Sequence, residues 1–221
     1  IRHNLINRAR LDKSVKQSDF TPAKGADMAF FIFINGAYGA GKTQTAFELL
    51  RRLDGAHVCD LEEAGYYIRR VIPNELKCFD FRDHSEWRGI NNIMLRRLSG
   101  CDRIVLLPMT VTNADWYREL TRGVDIEKHI ILHPSREVLA KRIASRHEGK
   151  DSFAARMADR CYAEFDSFAE AVGAEFIDTS ALSISEVAEE IAKICGLTLS
   201  PRASALSAAV YRLRVTLGHI R

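Results

Sequence analysis

Long apolar runs are scarce in this sequence. None reaches the roughly 20 residues that a membrane-spanning helix needs. The strongest, 28–34, is strand-sized and runs straight into a glycine-rich turn. Paired cysteines are missing as well. The five cysteines (Cys59, Cys78, Cys101, Cys161 and Cys195) are odd in number and scattered, with no metal-ligand or redox-motif spacing. They read as reduced thiols of a cytosolic protein, not as a disulfide frame or a zinc site. No internal repeat and no low-complexity tract is found, which excludes solenoids and compositionally biased tails. A broad basic face is also absent. Residues 1–27 hold six basic residues against three aspartates, a net +3, and residues 202–221 hold four arginines and no acid, a net +4. With +3 for the whole chain, residues 28–201 carry −4. A mildly acidic body between basic ends is not the footprint of a nucleic-acid binder, and no nucleic-acid partner is expected.

The 221 residues, 47% of them hydrophobic, are enough to bury one sizeable core. Residues 1–27 lack the apolar stretch of a secretory signal. Met28 stands directly before the first credible strand, so the functional domain is expected over 28–200, with 1–27 an extension and 201–221 a separate helix.

Apolar runs alternate with helical patterns, the signature of a three-layer α/β domain on a five-stranded, mostly parallel sheet. Strands are expected at 29–34, 56–59, 103–107, 128–132 and 175–177. Helices are expected at 42–53, 62–72, 84–98, 114–121 and 135–147, with the last resuming after a polar break at 148–151 and running to about 171. Residues 74–83 read as irregular. Ser183 with Glu186 three residues on is a capping box that opens another helix.

Between the first strand and its helix lies Gly36-Ala37-Tyr38-Gly39-Ala40-Gly41-Lys42-Thr43, a match to the phosphate-binding loop G-x-x-x-x-G-K-[ST] in the context where that loop works. Glycines let the backbone curl so that successive N–H groups point at phosphate oxygens. The first helical turn, through Gln44, adds unpaired donors and a favourable dipole. Lys42 can reach the β- and γ-phosphates of ATP, and the Thr43 hydroxyl can ligate Mg²⁺.

Further on, Arg142 and Arg146 stand four apart on one helix, and Arg156 and Arg160 four apart on the next. Each pair projects from one helical face across a polar break, as in a lid that closes over a transferring phosphoryl group; solvated surface charge is the alternative. Asp60, at the carboxyl end of the second strand, is the candidate catalytic base, and it is equally placed to cap the following helix. Arg69, Trp87 and Arg88 are candidates for the acceptor site, with core packing the competing reading for Trp87. The third strand ends in Pro108-Met109-Thr110, where many phosphate-loop proteins place an aspartate that holds Mg²⁺ through water.

These residues resemble the tunicamycin-resistance proteins of bacteria, phosphate-loop proteins related to nucleoside kinases and to chloramphenicol phosphotransferase. The resemblance runs from about Phe31 to the C-terminus. It rests on the block 34–49 (INGAYGAGKTQTAFEL), on Trp87-Arg88, on 105–110 with its Pro-Met-Thr ending, and on Glu148-Gly149-Lys150. It implies resistance to tunicamycin, a uridine-containing inhibitor of sugar-phosphate transfer onto polyprenyl phosphate, by ATP-dependent phosphorylation of the drug or a related nucleoside. A non-catalytic protein that closes over tunicamycin and sequesters it is the rival.

After Pro201, apolar residues recur at Leu206, Val210, Leu213, Leu217 and Ile220 among arginines. The spacing makes an apolar helical face with a basic remainder. That face suits peripheral contact with the inner face of an anionic membrane, or packing against the domain or a second subunit.

Overall fold

The computed structural model describes residues 28–145 and 152–218. Five strands, β1 (Phe30–Gly36), β2 (Ala56–Val58), β3 (Ile104–Pro108), β4 (Lys128–Leu132) and β5 (Glu175–Ile177), form one sheet in the order β2-β3-β1-β4-β5. Every pairing in it is parallel. The helices are α1 (Lys42–Arg52), α2 (Glu62–Val71), α3 (Ser85–Leu98), α4 (Ala114–Leu120), α5 (Arg136–Ala144), α6 (Phe153–Val172), α7 (Ile184–Ile194) and α8 (Ala205–Gly218). The irregular stretch before α3 contains two short 3₁₀ turns, Asn74–Leu76 and Phe81–Asp83.

Period-two alternation along the buried strands divides the molecule into two cores. Phe31, Phe33, Val105, Leu107 and Ile131 face one layer, where they meet Trp87, Leu95, Leu139, Phe165 and Phe168. Ile32, Ile34, Leu106, Ile130 and Leu132 face the other, against Leu49, Val187, Ile191 and Val215. β1 therefore sits in the middle of the sheet and is covered on both faces.

The chain leaves β1 for β2 and β3 on one side and returns past it to β4 on the other. Such a reversal opens a crevice at the carboxyl ends of the strands. β1 extends to Gly36, two residues past its expected end, so the sheet itself delivers the first residue of the glycine loop to that crevice.

The C-terminal helix does pack on the domain, but not with the stripe that its sequence pattern suggests. Val215, 1% exposed, enters the second core with Tyr211 packed against it, and Ala208 is buried. Leu206, Val210, Leu213 and Leu217 are exposed. Ile220 lies outside the described residues, as does the whole of 1–27. Among the described residues no helix is long and apolar enough to cross a membrane.

His129 on β4 is walled in by Phe33, Tyr117 and Phe168, with ring centroids 4.7, 4.7 and 5.5 Å away. Burial pushes its pKa from 6.5 down to about 3. Over that interval the unfolded chain holds a proton that the folded chain does not, so stability falls as pH drops from about 6.5 towards 3, by up to ~1.4 kcal/mol per pH unit. Urea unfolding followed across this range should show a shallower acid loss in His129→Gln than in the parent. Parallel pH dependences would contradict a buried neutral imidazole.

Candidate active site

One buried amide fixes where the glycine loop starts. Asn35, fully buried at the end of β1, accepts through Oδ1 from the backbone N–H groups of Gly36 (2.8 Å) and Val111 (3.1 Å). Its Nδ2 donates to the Val111 carbonyl (2.7 Å) and lies 3.2 Å from His129 Nε2. The three backbone contacts settle which way the amide points. Its remaining N–H then makes Nε2 of the neutral imidazole an acceptor and leaves the proton on Nδ1. Thr110 adds a second fastening, donating from its hydroxyl to the Gly36 carbonyl at 2.9 Å.

Gly36 tolerates no side chain. Its φ is +147°, and an added Cβ would lie 2.8 Å from the Leu132 carbonyl oxygen. Gly39 and Gly41 also have positive φ, and Gly41 ends the loop as the N-cap of α1 with no side-chain cap. No acid lies in the first turn of α1, so no carboxylate competes for the positive end of the helix dipole. Lys42, 8% exposed, crosses the loop: its Nζ donates to the Ala37 carbonyl at 3.1 Å and lies 5.5 Å from the Tyr38 ring centroid. Thr43 is half-buried in the first turn. Gln44 turns its side chain away from the loop. Its Nε2 donates to the Arg212 carbonyl (3.2 Å) and Thr216 Oγ1 (3.0 Å) on α8, so its backbone N–H is what it can offer a phosphate.

Of the paired arginines, Arg142 reaches the loop. It donates from Nη2 to the Thr179 carbonyl at 2.8 Å, and from Nη1 to the Ala40 carbonyl at 3.4 Å. Arg146 and the break 148–151 lie outside the described residues. On α6, Arg160 pairs with Glu164 (2.8 Å) and lines a shallow, solvent-open cleft with Asp80, Arg82, Trp116 and Cys161.

Two residues of that cleft, Asp80 and Arg82, were not read from the sequence. Both are buried. Arg82 donates from Nε and Nη2 to Asp80 Oδ2, and from Nη1 to the Thr110 carbonyl (3.0 Å); its guanidinium stands 5.7 Å from the Tyr38 centroid. Burial alone would raise the Asp80 pKa, but the bonds and charge of Arg82 overcome it and hold the carboxyl below its ordinary value. Burial pushes the Tyr38 phenol up, against the lowering charge of Arg82, and lifts the Cys161 thiol in the cleft wall to about 11. Both stay protonated near neutrality. The turn carrying the pair, Phe81–Asp83, sits close because residue 65 is glycine. A Cβ there would come within 2.4 Å of the Phe81 ring.

The structure separates the expected acceptor residues. Trp87 is 0% exposed, donates from Nε1 to the Leu61 carbonyl (2.9 Å) and packs on Phe81. It therefore binds α3 to α2 and presents no ring face to a ligand. The Arg88 guanidinium is engaged with Glu119 (2.6 Å) and the Arg82 and His84 carbonyls (2.8 and 3.3 Å), so it braces the Arg82 turn from behind. Arg69 is exposed and donates to the Phe79 carbonyl at 3.5 Å. Asp60 accepts from the Glu62 N–H at 3.0 Å, a capping contact that leaves its carboxylate half-buried at the crevice end of β2. Among the described residues no group of three or more His, Cys, Asp or Glu side chains is placed to hold a metal.

Among solved structures, the chain is similar to the tunicamycin resistance protein of Deinococcus radiodurans, with 28% identity over 79% of this chain and 99% of that one, and a TM-score of 0.65. The resemblance read in the sequence thus holds in three dimensions. Thymidylate kinase from Candida albicans (13% identity, 81% of this chain and 98% of that one, TM-score 0.58) shares the fold. So does the Mycobacterium tuberculosis APS kinase in complex with AMPPNP and APS (14% identity, 77% and 99%, TM-score 0.53). No protein-family model and no curated protein matches the chain. The architecture is that of the α/β phosphate-loop kinases.

Removing one partner of a buried ion pair strands the other, at a cost of about 3–5 kcal/mol. Asp80→Ala should lower the urea midpoint accordingly, whereas Asp60→Asn should barely move it, since asparagine also caps well. Equal stability of Asp80→Ala and the parent would mean that Arg82 is not held as described.

Proposed function

We propose that the protein is an ATP-dependent phosphotransferase that moves a γ-phosphoryl group onto a hydroxyl of a nucleoside-type small molecule. Tunicamycin would be the acceptor and resistance the outcome. One observation carries this reading. The Tyr38 ring, on the glycine loop, has the Lys42 ammonium 5.5 Å from its centroid and the Arg82 guanidinium 5.7 Å from it. A phosphate-side cation and a cleft-side cation thus flank one residue, and a phosphoryl group passing from loop to cleft would move between them. The similarity to a tunicamycin resistance protein supports the choice of acceptor.

The roles follow from the chemistry of each group. Backbone N–H groups of the loop and of the first turn through Gln44 would hold the phosphate oxygens. Lys42 would exchange the Ala37 carbonyl for the β- and γ-phosphates. Arg142, beside Ala40 and Thr179, would lie along the nucleotide. Arg82 and Arg160 would face the charge that spreads over the transferring group. Asp60 would orient the acceptor hydroxyl and take its proton while keeping its cap, and Arg69 would stand at the acceptor rim. The donor set fits Mg²⁺ held chiefly by phosphates and water, with the Thr43 hydroxyl as its ligand from the protein. The ion would neutralise charge on the β- and γ-oxygens. The cytoplasm, where ATP is abundant, is the expected place of work.

A second reading has an observation of its own. β3 ends without a carboxylate, and the hydroxyl of Thr110 at that place is committed to Gly36. This favours a protein that closes over the drug with ATP bound and transfers nothing.

Incubation with Mg·ATP and tunicamycin, followed by mass spectrometry, should yield drug carrying one added phosphoryl group. Unmodified drug recovered bound in equal amount to the protein would establish sequestration instead. By calorimetry, Lys42→Ala should weaken ATP binding by roughly 100-fold, the loss of a charge-assisted bond of about 3 kcal/mol, with thermal unfolding unchanged. Unaltered affinity in that variant would defeat both readings.

A further inference from the structure

Helix α8 presents two opposite faces, and among the described residues only one is packed against the rest of the fold. Val215 and Ala208, seven residues apart, share the inner face, and the Arg212 carbonyl and Thr216 hydroxyl hold the Gln44 side chain. Leu206, Val210, Leu213 and Leu217 recur at spacings of four, three and four, which puts them on one ridge about half a turn away from Val215. Their exposures are 76, 54, 59 and 54%. Four large aliphatic side chains aligned on a fastened helix form an apolar strip that nothing among the described residues covers.

The charge around the strip indicates what would cover it. From Arg202 to the end of the chain there are four arginines and no acid; Arg202, ahead of α8, is paired with Glu189 and Arg221 lies outside the described residues, so Arg212 and Arg214 are the cations of the helix itself. Arg214 is exposed next to the ridge, and among the described residues no carboxylate pairs with it or with Arg212. An identical helix laid against this one would bring two cationic segments together, which opposes pairing of the two ridges. A surface that is apolar inside and anionic outside matches both features: the aliphatic side chains enter the acyl boundary and Arg214 meets the headgroups.

We infer that α8 is a docking rib for an anionic lipid bilayer, lying in the plane of the interface with Leu206, Val210, Leu213 and Leu217 inserted. The inner face keeps the helix on the domain, so docking would seat the phosphate-loop domain on the membrane without unfolding any part of it. The inference does not depend on ATP or on the identity of the acceptor.

The full chain should co-sediment with phosphatidylcholine vesicles containing phosphatidylglycerol and stay in solution with phosphatidylcholine alone. Partitioning should fall as salt is raised. The double variant Leu206→Gln, Leu213→Gln changes only exposed positions to another good helix former. It should partition roughly tenfold less, with unchanged thermal unfolding and ATP binding. A second variant, Arg214→Gln, should weaken partitioning and reduce its salt dependence. Absence of pelleting with the anionic vesicles, or equal pelleting of parent and double variant, would overturn the proposal. So would sedimentation analysis showing a vesicle-free dimer that the double variant abolishes, since the strip would then belong to a second copy.

Discussion

The position of the glycine loop depends on a carboxamide sealed inside the sheet. Asn35 takes the N–H of the residue that begins the loop and both backbone groups of Val111, across a strand boundary. A buried amide satisfied in this way has one arrangement open to it, because any other leaves donors and acceptors unpaired at about 1–3 kcal/mol each. The loop therefore departs from a fixed point and in a fixed direction. The dry surroundings that make this network rigid also keep His129 neutral, so the anchor is strong near neutrality and weakens in acid.

Charge in the site is organised from that anchor outwards. The glycine-loop side carries main-chain amides and one lysine. The cleft side relies on an arginine whose position is set by a neighbouring carboxylate, by a carbonyl at the end of β3, and by Arg88 behind it. Arg88 has its own support in Glu119 and stacks over Trp116 at 5.3 Å. The cation that faces the cleft is thus held at several points before any ligand arrives, and little of its freedom remains to be lost on binding.

The sequence announced the parts of this arrangement that are local. Gly36 to Thr43 could be recognised because eight consecutive residues carry the whole geometric demand. The alternation of strands and helices was legible for the same reason, since burial on both faces writes itself into each run. Asp80 and Arg82 left no such trace. Their pairing depends on a 3₁₀ turn that patterns do not reveal, on glycine at 65 making room for Phe81, and on a carbonyl 28 residues away. Trp87 and Arg88 drew attention as exposed-type chemistry, but tertiary packing turned both inwards. In α8 the periodicity was real, yet it marked the face left out of the core. The residues that do the packing, Ala208, Tyr211 and Val215, follow the same spacing of three and four but are outnumbered by the larger aliphatic stripe.

The two cores lie on opposite faces of the sheet and share only its strands. The layer behind the glycine loop, with α1 and α7, meets the sheet through Ile32, Ile34 and Leu132. The layer carrying the cleft meets it through Phe31, Phe33 and Leu107. Substitutions in the turn between α2 and α3, in α4 or in α6 can therefore remodel the cleft wall without disturbing the strand face beneath the glycine loop. A scaffold divided in this way is evolvable in one half and conservative in the other, with the variable half drawn from the Asp80–Asp83 turn, α4 and α6.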